Sequence, residues 1–281
     1  MAQDKYKAVW VSHSSMGDFL KCPRAYFLHN VYKDPKTNRK INLVSPALAL
    51  GVSVHEVVEG LASYKAHERF SQPLLEHYEK AWKKVSGKKG GFKNEADELM
   101  AKNRGKEMIL RVIQNPGPLL QKALKLKNGQ NDMPPNFFLS EEENIILCGK
   151  IDWLEYIPED DSVRVLDFKT GKNEESGESL QLPIYQLLLN KLQKRKVSGA
   201  SYWYLDRDDS PIAVDLPSVE ESYTRVIEVA RQVKRARESG TYLCPKGDKG
   251  CFACKPFEKI LRGEAEYIGV GEYNQDLYQV D

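Results

Sequence analysis

Residues 148–172 read CGKIDWLEYIPEDDSVRVLDFKTGK and carry the clearest structural signal in the chain. Residues 144–157 are rich in Ile, Leu, Trp and Tyr and predict one strand, and residues 163–170 predict a second strand after a turn at residues 158–162. Since so short a connection typically joins antiparallel neighbours, we expect a β-hairpin at the centre of the fold.

Two carboxylates and one ammonium group meet on this hairpin. Side chains two apart in a strand share a face, so Asp167 and Lys169 point the same way, and Asp152 on the first strand can reach them. Carboxylate oxygens suit hard cations such as Mg²⁺ and Mn²⁺, and such an ion polarises a phosphate and activates water. The pattern predicts a catalytic metal centre that Lys169 assists, although a D-x-K pattern alone is more often a solvated ion pair.

A helix upstream offers a further metal ligand. Ser45 as the cap and Pro46 at the first helical position predict a helix that runs to about Ser63. His55 and Glu59 lie four residues apart on it and share a face. His55 can supply a nitrogen to the same ion, and Glu59 a further ligand or a partner that orients the histidine. An isolated histidine is more commonly a hydrogen-bonded residue at the edge of the core.

The helix after the hairpin, predicted at residues 179–194, carries Gln181 and Tyr185 one turn apart. These two side chains can hold a substrate backbone or base close to the metal. The other interpretation is an amphipathic helix with a tyrosine at its border.

Three of the five cysteines, Cys244, Cys251 and Cys254, lie within eleven residues. A C-x₂-C pair is a common metal chelate, and Cys22 is the natural fourth ligand. Four thiolates bind Zn²⁺ or an iron–sulfur cluster, and the spacing alone does not decide between them. We expect Cys148, inside a predicted strand, to pack as a small hydrophobe.

The composition indicates a folded protein without a membrane segment. The chain has 281 residues with 41% hydrophobic content, enough for a large core. It has no apolar run of about 18 residues, and residues 1–7 lack the apolar middle of a signal peptide, so we expect a cytoplasmic location. Residues 64–127 carry a net charge of +8 and residues 141–190 one of −8. A basic arm beside an acidic centre suits a metal site acting on a polyanion, and a solvated helical face is the commoner explanation.

Further patterns extend the hairpin into a sheet. Two more strands are predicted at residues 200–206 and 212–216, and a long helix is predicted at residues 219–238. The predicted fold class is therefore α/β, with a central mixed β-sheet flanked by helices. We expect a single domain over residues 1–281, with a helical insertion at residues 64–127 and a metal-binding tail at residues 240–260.

The motifs follow one another in a recognisable order: S-x-S-S-x₆-C-P-R-A-Y, G-x₃-H-x₃-E, G-x-x-D, D-F-K-T-G, Q-x₃-Y and the terminal cysteines. This order resembles the RecB-like branch of the PD-(D/E)XK nuclease superfamily. It is most similar to the CRISPR-associated and AddB-like exonucleases that carry an iron–sulfur cluster. The resemblance covers nearly the whole chain outside the helical insertion and implies a restriction-endonuclease-like core.

The resemblance also implies roles for the motif residues. It implies that Mg²⁺ or Mn²⁺ is bound by His55, Asp152 and Asp167. It implies that Lys169 assists hydrolysis and that Gln181 and Tyr185 position DNA.

The cysteines fit the same resemblance with one departure. It implies a [4Fe–4S] cluster on Cys22, Cys251 and Cys254. Related nucleases place one more cysteine shortly after the C-x₂-C pair, whereas residues 255–260 contain none. Cys244 would take that place from upstream, with Zn²⁺ as the alternative to the cluster.

Together these features predict a metal-dependent deoxyribonuclease. We expect an exonuclease on single-stranded DNA or duplex ends, in DNA repair, recombination or CRISPR-type processing, with the basic insertion gripping phosphates. The alternative is a non-cleaving DNA-binding or scaffold module with a structural four-cysteine metal site. Because the chain shows no helicase motif, a helicase or a CRISPR or recombination component would be a separate partner. The sequence leaves the oligomeric state open.

Overall fold

The computed structural model describes residue 5, residues 7–126 and residues 133–280 of the chain. In chain order the helices and strands of these residues are β1 (Val9–Val11), α1 (His13–Lys21), α2 (Pro23–Tyr26), β2 (Ile41–Leu43), α3 (Pro46–Gly60), α4 (Leu74–Lys84), α5 (Glu95–Gln114), β3 (Ala123–Leu124), β4 (Asn136–Ser140), β5 (Ile145–Cys148), β6 (Trp153–Ile157), β7 (Ser162–Lys169), α6 (Gln181–Leu192), β8 (Val197–Tyr204), β9 (Ile212–Val214), α7 (Val219–Ser239), α8 (Lys255–Leu261), β10 (Glu266–Val270) and β11 (Asp276–Gln279). Short 3₁₀ and π turns connect several of them.

A five-stranded mixed sheet forms the centre of the fold, in the order β3-β6-β7-β8-β9. The predicted hairpin lies within it, because β6 and β7 pair antiparallel with Trp153 opposite Leu166 and Ile157 opposite Ser162. β7 and β8 run parallel, and α6 makes the crossover between them. The prediction of an α/β fold with a mixed sheet flanked by helices is therefore confirmed.

Helices cover both faces of this sheet. Alternation along β7 sends Leu166 and Phe168 to one face, where they share a core with residues of α3, α4 and α5. Val165 points to the opposite face and packs with residues of α6. Since Asp167 is two residues beyond Val165, its carboxylate also faces α6.

The prediction of one continuous strand at residues 144–157 is wrong. β5 and β6 are separate strands of different sheets, and β5 pairs with β1 and β4 in a three-stranded sheet. The chain turns between them at Gly149, where an added Cβ would lie 2.9 Å from Leu188 Cδ1 of α6. Asp152 therefore lies just before β6 and not on the strand that the sequence predicted for it.

The predicted start of α3 is confirmed. The side chain of Ser45 caps the helix by accepting a hydrogen bond from the backbone N–H of Leu48, and Pro46 is its first residue. The helix ends at Gly60 and continues as a 3₁₀ turn through Ser63.

Residues 64–126 lie against the central sheet. α4 and α5 pack on α3, and β3 pairs with β6 at the sheet edge. Lys127, the last residue of the predicted helical insertion, lies outside the described residues. None of the described helices combines the length and the apolar character needed to cross a membrane.

Segments from the two ends of the described chain meet beside the core. β2 pairs with β11, which also pairs with β10, in a second three-stranded sheet. The segment at residues 240–260 packs against α2 through its cysteines. The fold thus brings together residues that are far apart in sequence at two positions. One is the end of β7, and the other is the contact between α2 and residues 240–260.

Candidate active site and cysteine site

The predicted site residues come from α3, from β7, from α6 and from the short segment that precedes β6. They are His55, Glu59, Asp152, Asp167, Lys169, Gln181 and Tyr185. We call the first five the carboxylate site. Its side chains form two adjoining groups, one around His55 and one around Asp167.

The first group joins α3 to the start of β6. His55 Nδ1 lies 2.9 Å from Glu59 Oε1 and 3.4 Å from Asp152 Oδ2. Asp152 Oδ2 also accepts a hydrogen bond of 3.1 Å from the backbone N–H of Phe168. The imidazole and the two carboxylates each offer a ligand atom, and these atoms all lie within 4.8 Å of one another.

The second group surrounds Asp167, of which only 1% is exposed. Its Oδ1 atom accepts hydrogen bonds of 2.7 Å from Gln181 Nε2 and 2.9 Å from the hydroxyl of Tyr185. Its Oδ2 atom lies 2.9 Å from Lys169 Nζ. Gln181 and Tyr185, predicted to contact DNA, are thus buried against a carboxylate of the site.

Negative charge dominates the junction of the two groups. Burial and the neighbouring charge of Asp167 raise the pKa of Asp152 to about 7. Burial alone lowers the pKa of His55, but the hydrogen bond to Glu59 and the charge of Asp152 outweigh it, so that this pKa is raised. A cation placed here would therefore relieve repulsion between buried carboxylates.

A divalent cation fits this arrangement. Asp167 Oδ2 is buried and accepts no hydrogen bond of good geometry from the described residues, although Lys169 is near. A buried oxygen without such a partner is costly unless an ion or a donor reaches it. His55, Glu59 and Asp152 make a nitrogen and oxygen donor set that Mg²⁺ or Mn²⁺ accepts, whereas Asp167 lies outside this close group and acts on Asp152 through its charge.

Two charged residues of the site escaped the sequence analysis. Glu175 Oε2 lies 3.0 Å from Lys169 Nζ, and Lys150 contacts the carboxylate of Glu59. Burial raises the pKa of Glu175, but hydrogen bonds from Ser179 and Lys169 outweigh it and lower the pKa. Glu175 lies in an irregular segment between β7 and α6, so no periodicity indicated where its side chain points.

Two clefts flank the carboxylate site. One of about 1190 Å³ is lined by Glu175 and by residues of α6, β8, β9 and α7, including Tyr204 and Arg225. The other, of about 480 Å³, is lined by Glu59 and Asp152 and by residues around β3. The smaller cleft therefore reaches Glu59 and Asp152 directly, whereas the larger one reaches the site through Glu175, which contacts Lys169.

The four cysteines that the sequence grouped together do lie together, and we call them the cysteine site. Their sulfur atoms are all within 4.8 Å of one another, and Cys22, Cys244 and Cys254 are buried. Burial raises the pKa of Cys251, but backbone N–H groups at Cys254 and Ala253 outweigh it and lower this pKa to about 7. Burial instead raises the pKa of Cys22 and raises that of Cys254 to about 12, so these two thiols would become thiolates only when a bound cation compensates their charge.

Cys148 is not part of this group. Its thiol lies 3.4 Å from the carbonyl oxygen of Val11, and burial raises its pKa to about 11. This thiol therefore stays protonated at neutral pH and lies half-buried at the end of β5, beside β1.

The sheet, the converging carboxylates and the lysine together define a class of metal-dependent phosphodiester hydrolases. A family model described as the PD-(D/E)XK nuclease superfamily matches residues 10–257. The chain belongs to this superfamily, which indicates a nuclease that uses a divalent metal. A comparison of the chain with curated proteins gives no match.

Proposed function

We propose that this protein is a Mg²⁺- or Mn²⁺-dependent deoxyribonuclease of the RecB-like branch. It acts as an exonuclease on single-stranded DNA or duplex ends in the cytoplasm, in DNA repair, recombination or CRISPR-type processing. The observation that carries the proposal is the convergence of the buried Asp167 with the half-buried Asp152 and Lys169 beside His55. Membership of the nuclease superfamily supports it.

The side chains divide the chemical work. In this proposal His55, Asp152 and Asp167 hold the ion, and Glu59 either orients His55 or supplies a further ligand. A divalent ion held by these residues would supply Lewis acidity toward the scissile phosphate and toward a water. Burial lowers the pKa of Lys169, but Asp167 and Glu175 outweigh it and raise this pKa, so its ammonium group is charged at neutral pH. That ammonium offsets the charge that develops on the phosphate oxygens.

Gln181 and Tyr185 position the substrate through Asp167. Both donate to Asp167 Oδ1, which leaves Oδ2 of the same carboxylate beside Lys169 Nζ at 2.9 Å. They therefore fix the rotation of a metal ligand. Direct DNA contact, predicted from the sequence, would require them to leave this carboxylate.

The two clefts support a single strand as substrate. In this proposal the strand runs from the smaller cleft, beside Asp152, toward the larger one, beside Glu175 and the Lys169 that it contacts. Lys125 lies in the wall of the smaller cleft and Arg225 in that of the larger one. Each cation can contact a phosphate on its side of the reacting bond.

The test is digestion of end-labelled DNA, single- and double-stranded, linear and circular, with Mg²⁺, Mn²⁺ or EDTA. We expect metal-dependent loss of linear strands and survival of circles. Asp152→Ala should abolish cleavage, and Asp160→Ala, in the exposed turn of the same hairpin, should retain it. Robust DNA binding without cleavage under any divalent metal would support the non-cleaving module instead.

A further inference from the structure

The cysteine site has a size that can be compared with the groups it could hold. Cys254 Sγ lies 3.8 Å from Cys244 Sγ and 3.8 Å from Cys251 Sγ. With zinc–sulfur bonds of about 2.3 Å, sulfurs around one tetrahedral ion are about 3.8 Å apart, because a tetrahedron edge is about 1.6 times its centre-to-corner distance. The two separations from Cys254 match this value, and the other sulfur pairs lie within 4.8 Å.

A [4Fe–4S] cluster requires a wider arrangement of thiolates. Each of its four irons takes a separate thiolate, so the thiolates surround a cube of eight atoms and not one ion. The four sulfur atoms here all lie within 4.8 Å of one another. That arrangement leaves no space for the cube, so the site does not fit the cluster that the resemblance implies.

The surroundings keep the site narrow. An added Cβ at Gly250 would lie 3.2 Å from Cys254 Sγ and 2.8 Å from Glu258 Oε2, so the backbone closes directly over the site. Arg24 of α2 donates a hydrogen bond of 2.9 Å to Glu258 of α8. Since this ion pair ties together the two helices that follow Cys22 and Cys254, widening the site would break it.

Backbone hydrogen bonds also fix the sulfur atoms. The N–H of Cys251 donates to Cys254 Sγ at 3.1 Å, and the N–H of Lys246 donates to Cys244 Sγ at 3.4 Å. Such N–H donors stabilise thiolates and orient them toward a metal.

We infer that Cys22, Cys244, Cys251 and Cys254 hold a single tetrahedral Zn²⁺ ion. Four cysteines fill all four positions of such an ion and leave none open to substrate, which is the pattern of a structural site. Zinc has no redox chemistry, so the site carries no electrons. This inference goes beyond the proposed nuclease activity and does not depend on it.

Metal analysis of the intact chain tests the inference. The full chain is purified under anaerobic conditions, without a histidine tag, from cells supplied with both iron and zinc. Zinc and iron are measured by mass spectrometry, sulfide by acid release, and the cluster by visible absorption. We expect about one zinc per chain, no sulfide and no colour. Iron in place of zinc, with or without sulfide, overturns the inference.

Variants identify the ligands. Cys22→Ser should lose the zinc, and the matched control Cys148→Ala should keep it. Exchange of the ion for Co²⁺ in the parent should give the intense visible bands of tetrahedral cobalt thiolate, a readout that does not require any variant to fold. A pale octahedral cobalt spectrum, or zinc retained in Cys22→Ser, overturns the assignment. Because none of these measurements uses DNA cleavage, a failure here is distinguishable from failure of the proposed nuclease.

Discussion

The carboxylate site and the cysteine site differ in what holds them together. The carboxylate site is fixed by the fold, since β7, α6 and the backbone of Phe168 bind its side chains. The cysteine site lies among short elements and loops and joins Cys22 to a segment that begins 222 positions later, at Cys244. The folded sheet therefore builds the first site, whereas the second site joins separate parts of the fold.

The two sites also differ in what an ion would do for them. In the carboxylate site buried acids repel one another, so the fold tolerates this site at a cost in stability. In the cysteine site an ion would close a very long loop and so stabilise the folded state. The comparison predicts that removing a carboxylate charge in the first site impairs catalysis but relieves this cost in stability, whereas removing a thiol from the second site lowers stability.

The largest effect is expected from Lys169→Ala. This change removes the ammonium group that faces Asp167 and Glu175. We expect the rate of DNA cleavage to fall by about 10³-fold, because a charged group that stabilises a transition state is lost. Single-turnover cleavage with saturating Mn²⁺ measures it.

The control is Lys172→Ala, an exposed lysine just beyond the same strand. It should cut at the parent rate. Lys169→Ala removes the charge that offsets Asp167 and Glu175, so it should unfold at a lower urea concentration than the parent but be folded under assay conditions. Parent-like cleavage by Lys169→Ala would remove this lysine from the chemistry.

The second effect is expected from Cys22→Ser. It takes one of the four thiols from the cysteine site, and we expect the free energy of unfolding to fall by about 3 kcal/mol, as for loss of a structural metal. Urea unfolding followed by circular dichroism measures the change. If Cys22→Ser unfolds at the same urea concentration as Cys148→Ala, the cysteine site does not stabilise the fold.

The third effect has the opposite sign. The pKa of Asp152 is raised to about 7 in the folded protein, so the fold favours the protonated carboxyl. The free energy of unfolding therefore falls as pH rises from about 4, the pKa in the unfolded chain, to 7. Asp152→Asn should therefore stabilise the metal-free protein at pH 8 by about 2 kcal/mol, and by less at pH 5. Urea unfolding in EDTA at both pH values measures it.

Addition of Mn²⁺ supplies the control for this comparison. The ion should stabilise the parent and leave Asp152→Asn nearly unchanged, since the variant lacks one anionic ligand. A variant less stable than the parent at pH 8 would show that Asp152 carries no such cost.

The smallest effect is expected from Tyr185→Phe. The ring stays, but Asp167 Oδ1 loses the hydroxyl donor at 2.9 Å. A hydrogen bond to a charged group contributes about 1.5 kcal/mol, so we expect about a tenfold fall in kcat. Steady-state cleavage rates measure it, with Tyr223→Phe on the exposed side of α7 as control. An unchanged kcat would mean that Gln181 alone holds Asp167.

Sequence patterns predicted the local features of the fold. The caps at Ser45 and Pro46 and the pairing of β6 with β7 follow from neighbouring residues, and both are present. The break at Gly149 could not be predicted, because it involves the close approach of Leu188 of α6, a residue 39 positions later in the sequence. An apolar run has the same composition whether it forms one strand or two.

The basic segment shows a second limit of sequence patterns. Residues 64–127 suggested a free surface for phosphates, but several of their cations pair with carboxylates of other elements. The pairs include Lys84 with Glu56 at 2.7 Å, Arg104 with Asp206 at 2.7 Å and Arg111 with Asp209 at 3.0 Å. Net charge along a segment does not tell which charges the fold will pair.

The distance in sequence between Cys22 and the other cysteines has a consequence for the order of events during synthesis. At about 5–20 residues per second, the ribosome needs roughly 10 to 45 s to reach Cys244 after Cys22 has been made. The last strand of the central sheet, β9, is complete at Val214 and so precedes Cys244. On each new polypeptide the carboxylate site can therefore form first, and the two ends of the fold are joined last.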